Sequence, residues 1–129
     1  MSARFGLDGD TNAVAFIGNF DNFDDLDAHV AKNELNYWWL MEEGDLNEYI
    51  DSAVSAIVEC SKDKSANDKE DLYFGLDTDN QDVDYLGSHD RHQDASEVGK
   101  FDYFWIFSIQ ELIVFMSTAR EAIRISNEA

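Results

Sequence analysis

An α+β domain with a small, mainly antiparallel sheet and about three helices packed on it is what this sequence predicts, and three observations predict it. Short apolar runs rich in aromatic and β-branched residues alternate with longer stretches of helical period. Two of the helical stretches open with the spacing of a capping box. Finally, 129 residues of 44% hydrophobic content can bury one real core but not two comfortable ones, so residues 1–129 are read as a single domain.

The elements follow in order. Ala13 to Ile17 is an apolar run of strand formers ended by Gly18-Asn19, which predicts a buried strand. Asn22 can cap a helix carrying Phe23, Leu26 and Val30 on one face, with Asp24, Asp25 and Asp27 near its positive end and a fade near Asn33. Leu35 to Met41 is short, aromatic and bounded by charge, and is read as a strand. From Gly44-Asp45 the spacing predicts a long helix. Asp45 and Glu48 form its capping box, and Leu46, Ile50, Ala53, Val54, Ile57 and Val58 form its apolar stripe.

Ser61 to Asp71 is almost free of apolar residues and reads as an exposed loop or frayed helix end. Strands are expected at Leu72–Leu76 and Val83–Leu86 around an Asp-rich turn, followed by a polar stretch from Ser88 to Lys100. Phe101 to Phe107 suits a strand covered on both faces. Ser108 and Glu111 make a second capping box, and Leu112, Ile113, Met116, Ala119 and Ile123 make the stripe of a terminal helix. The predicted order is β-α-β-α-β-β-β-α, without an internal repeat.

Charge narrows the function classes. The chain has 28 acidic and 9 basic side chains, a net charge of −19, yet 13% of its residues are aromatic, which suits a folded protein and not an acidic disordered tail. A field of that sign attracts basic macromolecules and disfavours direct binding to nucleic acid or an anionic membrane. Residues 1–61 hold 13 acids against two bases, 62–100 hold 11 against five, and 101–129 hold four against two. Surface is therefore expected mainly in the first two segments.

Cys60 is the only cysteine, so an intramolecular disulfide is impossible. The start, MSARFGLDGD, has no apolar signal core, and runs such as Leu112–Met116 fall far short of the ~18 residues that suggest a membrane span. A cytoplasmic location is the expectation.

The stretch LYFGLDTDNQDVDYLGSHDRHQD, residues 72–94, concentrates the possible chemistry. Asp77-x-Asp79 begins like a calcium loop, but Asp82 and Ser88 stand where that loop needs glycine and a bidentate glutamate. Asp8-Gly9-Asp10 is a shorter fragment of the same kind. His89 and His92 have a spacing feasible for a metal only on a helical turn and have no cysteine nearby. No G-x-S-x-G, P-loop or H-E-x-x-H pattern occurs, and Cys60 has no adjacent histidine, so neither an enzyme, a metal nor a cofactor is expected. The reading that uses the acid surplus itself is a protein-facing surface. Asp77, Asp79, Asp82, Asp84, Asp90 and Asp94 would meet Lys and Arg of a partner, and Tyr85, Trp38 and Trp39 would supply aromatic anchors.

Residues 13–30, AVAFIGNFDNFDDLDAHV, resemble the strand, Gly-Asn-Phe turn and acidic helix near the start of some immunity proteins of bacterial polymorphic toxin systems, including contact-dependent growth inhibition. The resemblance implies a small acidic α+β protein that binds a basic cognate toxin, frequently a nuclease, and blocks it by stoichiometric contact. It implies no interface residue and no oligomeric state. The competing expectation is a DNA mimic of the anti-restriction or anti-CRISPR kind, in which carboxylates imitate phosphates. A calcium- or metal-dependent module ranks third.

Overall fold

The chain opens with a strand that the sequence reading left out. In β1 (Ser2–Leu7), Phe5 and Leu7 turn to one face and Arg4 and Gly6 to the other, and all four are buried. A buried Arg and a Gly interrupt the apolar run, so composition hides the strand; its alternation is nevertheless complete. The Arg4 guanidinium lies 4.3 Å from the centre of the Phe23 ring and pairs with Glu42, which lets a charge occupy a covered position. Gly6 lies under the ring of Tyr37, so close that a Cβ there would fall 2.5 Å from ring carbons.

The computed structural model describes residues 2–37, 39–64, 70–97 and 105–128. After β1 come β2 (Val14–Phe20), α1 (Phe23–Lys32), β3 (Trp39–Glu42), α2 (Glu43–Ser61), β4 (Asp71–Asp77), β5 (Asp82–His89), α3 (His92–Ser96), β6 (Trp105–Ser108) and α4 (Ile109–Glu128). The α+β class holds. The strands are shared between two antiparallel three-stranded sheets, ordered β2-β1-β3 and β5-β4-β6.

That order is one pattern used twice, ββαβα followed by ββαβα, and it corrects the reading of a chain without internal repeat. Phe5-Gly6-Leu7-Asp8 recurs as Phe74-Gly75-Leu76-Asp77, and eight of the nineteen positions from Arg4 to Asn22 are identical to those from Tyr73 to Arg91. The irregularities recur as well. Each hairpin shifts register at the same point, between Arg4 and Phe5 and between Tyr73 and Phe74, opposite Gly18 and Gly87, both at positive φ. A glycine is needed there because the bulge demands a backbone that side-chain-bearing residues rarely adopt.

The long helices repeat too. Leu46, Tyr49, Ile50, Ala53 and Ala56 are buried along α2, as are Leu112, Phe115, Met116, Ala119 and Ala122 along α4. The expected stripes were therefore rotated by part of a turn. Val54 and Val58 are 40% and 48% exposed, and Ile113 is 45% exposed, while Tyr49, Ala56 and Phe115 take core positions. Ser108 and Glu111 form the capping box as expected, with the Ser108 N–H donating to Glu111 Oε1 at 2.8 Å. Asn22 caps α1 as expected, its Oδ1 accepting from the Asp25 N–H at 2.9 Å. Asp45 has no such part to play, because α2 begins at Glu43 directly after β3.

Other boundaries moved. The strand expected from Leu35 is observed as Trp39–Glu42, and Trp38 lies outside the described residues. Of the strand expected over Phe101–Phe107, residues 101–104 lie outside them, as does part of the expected loop at 65–69. The polar stretch after Ser88 contains α3, which buries Ala95 against Tyr73 and Leu86.

The chain forms two compact units, one of Met1–Leu46 with Val114–Ala129 and the other of Asn47–Ile113. Each unit thus takes three strands and a short helix from one repeat, and most of a long helix from the other. In the first unit Thr118 of α4 accepts from the Val14 N–H at 2.9 Å. In the second, Ser52 of α2 accepts from the Val83 N–H at 2.8 Å and donates to the Val83 carbonyl at 3.2 Å. β2 and β5 are sheet edges, and a helix hydroxyl satisfies an outward backbone group of each.

Candidate functional site

Asp77 terminates β4 because its carboxylate folds back on the turn. Oδ1 accepts from the Asp79 N–H at 2.9 Å, and Oδ2 accepts from the Asn80 side chain at 3.0 Å. Gln81 closes the turn with φ of 53°, and Asp82 starts β5 directly opposite Asp77. In the first unit Asp8 Oδ1 accepts from the Asp10 N–H at 2.8 Å, and Asn12 has φ of 61°. The two Asp-x-Asp fragments that begin like calcium loops are therefore equivalent hairpin turns. Among the described residues there is no group of three or more His, Cys, Asp or Glu arranged to hold a metal.

Comparison of the two hairpins separates the acids that recur in both from those that do not. Asp77, Asp79, Asp90 and Asp94 have acidic counterparts in Asp8, Asp10, Asp21 and Asp25. Asp82 and Asp84 have Ala13 and Ala15. The first hairpin thus forms with alanines at both positions. Asp82 moreover faces Asp77 across the ladder, a like-charge pair that costs stability.

Asp82 lines a cleft of about 400 Å³ together with Asn80 and Gln81 from the turn and Glu48, Asp51, Ser52 and Ser55 from α2. Ser52 fixes the distance between helix and strand through its paired hydrogen bonds with Val83. Glu48, Asp51 and Asp82 are exposed, so the cleft is a wet, anionic groove suited to the extended side chain of Lys or Arg, which offers donors for several carboxylates. Glu48 and Asp51 are not among the site residues expected from the sequence. Their signal is spacing: with Ser52 and Ser55 they form the polar side of α2, away from the buried stripe.

The other expected site residues fall in several places. Asp79 and Asp90 are exposed, whereas Asp94 pairs with Arg91 at 3.1 Å. Asp84 is half-buried on β5. Tyr85 is half-buried and donates its hydroxyl to Asp63 at 2.6 Å; burial, then that bond, push the phenol well above its ordinary range. It ties the segment that follows α2 to β5 and is not a free aromatic anchor. Trp39 is half-buried on β3 in the first unit, paired in register with Leu7. The structure therefore does not bring the expected site together: the acidic turn lies at one end of the β4–β5 hairpin, Asp90 and Asp94 follow β5 at the other end, and Trp39 belongs to the first unit.

The histidines are structural neighbours of Tyr73. The His89 ring lies 6.2 Å from the Tyr73 ring, with Nε2 2.7 Å from the Leu86 carbonyl. His92 meets the Tyr73 ring edge-on at 4.9 Å and bonds Glu111 at 2.5 Å. Burial pushes the Glu111 carboxyl up, but the Ser108 N–H and the His92 ring outweigh it and hold the group below its ordinary value. Cys60 is buried near Tyr85 and Asp63, and burial raises its thiol.

Comparison of the chain with family models, curated proteins and solved structures finds no match.

Proposed function

We propose that this chain is a cytoplasmic immunity protein that binds a basic toxin, a nuclease by the same resemblance, and neutralises it by stoichiometric contact. The observation that carries the reading is the pair Asp82 and Asp84, placed where the equivalent hairpin of the other unit has Ala13 and Ala15. Carboxylates at positions where an equivalent hairpin forms with alanine, one of them facing Asp77, have a ready explanation in a cationic partner. Glu48 and Asp51 extend the same face across the cleft, and the net charge of −19 supplies long-range attraction.

Lys or Arg of the toxin would enter the cleft between α2 and the Asp77–Asp82 turn. Residues that grip the toxin's own nucleic-acid phosphates are chemically suited to these carboxylates, so occupation of the cleft would withhold them from substrate. The reading requires no chemistry and no cofactor.

Co-expression with the toxin-like C-terminal region encoded beside the gene tests it. Growth rescue with a one-to-one complex that co-purifies is expected. Absence of rescue, combined with displacement of DNA from several unrelated DNA-binding proteins, would contradict it in favour of a DNA mimic.

A further inference from the structure

The first unit has its own cleft between β2 and α4; it uses the helix positions that match Asp51, Ser52 and Ser55 of the acidic cleft but is shifted along the strand, to Val14–Phe16 instead of the turn, and its chemistry is opposite. It measures about 410 Å³ and is lined by Val14, Ala15, Phe16, Ala122 and Ile125, with Ser117, Thr118 and Glu121 at its polar positions. Those polar groups are already engaged. Ser117 and Thr118 donate to the Val114 carbonyl, Thr118 accepts from Val14, and Glu121 pairs with Arg124. The cleft therefore offers mainly apolar surface.

The fold does not demand that surface. At the matching positions of the second unit, Asp84 replaces Ala15, Tyr85 replaces Phe16, Asp51 replaces Ser117 and Glu59 replaces Ile125. Ile125 is 44% exposed, a position where its acidic counterpart would be better solvated. An apolar floor kept within a chain of net charge −19 calls for an occupant that brings apolar surface and positive charge together. A second copy of the chain would bring −19 against −19, and a purely apolar ligand would gain nothing from the field.

We propose that the β2–α4 cleft receives one large apolar side chain, flanked by Lys or Arg, from a basic protein partner. This inference rests on the reading of the chain as a binder of a basic protein, and adds a second anchoring point to the acidic cleft. The apolar side chain would cover Ala15, Phe16 and Ile125, while the flanking cations remain in the acidic field around it. Such an anchor governs how long the complex lasts, whereas the acidic cleft governs how fast it forms.

The test uses the full chain and two basic dodecapeptides, identical except that the central residue is Phe in one and Ser in the other. Binding is followed by amide chemical shifts on the wild type, on Ile125→Glu, and on the double variant Ala15→Asp, Ile125→Glu, which copies chemistry the second unit already carries. Expected on the wild type are shifts at Val14, Thr118, Ala122 and Ile125 and about tenfold tighter binding of the Phe peptide. The preference should fall to about onefold in the double variant, while the Ser peptide still binds.

Equal binding of both peptides, with shifts confined to the Asp82 region, would overturn the inference and leave the binder reading intact. Binding of neither peptide would overturn both. Cleft shifts that grow with protein concentration in the absence of peptide would assign the cleft to a second copy, and so overturn the inference.

Discussion

Gly6 and Glu111 are single residues through which the fold can be questioned most sharply. A Cβ at position 6 would meet the Tyr37 ring at 2.5 Å in the middle of the central strand β1, so Gly6→Ala should destabilise the chain by about 1–3 kcal/mol, measured by denaturant unfolding. Glu111 tests the second unit through pH. Its folded-state carboxyl lies below the ordinary value, so the stability it contributes is present above the unfolded pKa of about 4.3 and is lost as pH falls through the folded value. Wild type should therefore lose stability more steeply than Glu111→Gln as the solution is taken from about pH 5 to pH 3. Parallel pH profiles for the two proteins would show that Ser108 and His92 do not hold this carboxylate as described.

At the scale of elements, the two helix-to-edge-strand ties should be equivalent. Ser52→Ala and Thr118→Val each leave an edge-strand N–H without its hydroxyl and should each cost about 1–3 kcal/mol in chemical denaturation. A large cost at one position and none at the other would contradict their common role. Elements with strong local signals were legible in the sequence: the Asn22 cap, the Ser108–Glu111 capping box and the strands on either side of the Asp77 turn. Those set by neighbours were not. β1 is disguised by Arg4 and Gly6, whose burial depends on Phe23, Glu42 and Tyr37. Val54, Val58 and Ile113 looked like core because they are β-branched and correctly spaced, but smaller or aromatic residues a fraction of a turn away fit the sheets better. The repeat is faint in the sequence because only its hairpins keep their residues. Between them α1 has 10 residues and α3 has 5, and the spacing of matched positions shortens from 69 residues at Gly18 and Gly87 to 66 at Trp39 and Trp105. Once the hairpins are compared, the candidate site becomes sharper than composition allowed, since Asp82 and Asp84 stand apart from the aspartates that recur in both hairpins.

Across the whole molecule, charge is distributed over both units while the two clefts differ. The first unit has 12 acids against four bases and the second 16 against five, for net charges of −8 and −11. Duplication of one ββαβα pattern thus supplies two clefts on equivalent supports, one acidic and one apolar. On the proposed reading, charge at the acidic cleft speeds association of a basic partner and apolar contact at the other cleft slows its dissociation. The account depends most on Asp82 and Asp84 meeting cations of that partner. The direct measurement is the association rate constant with the toxin domain that the proposal requires, identified by the co-expression test, over a range of salt concentrations, for wild type and for Asp82→Ala, Asp84→Ala, which copies the first hairpin. The account predicts association about tenfold slower for the variant at low salt, with a shallower salt dependence and no loss of folding stability. Identical rate constants and identical salt slopes for the two proteins would contradict it.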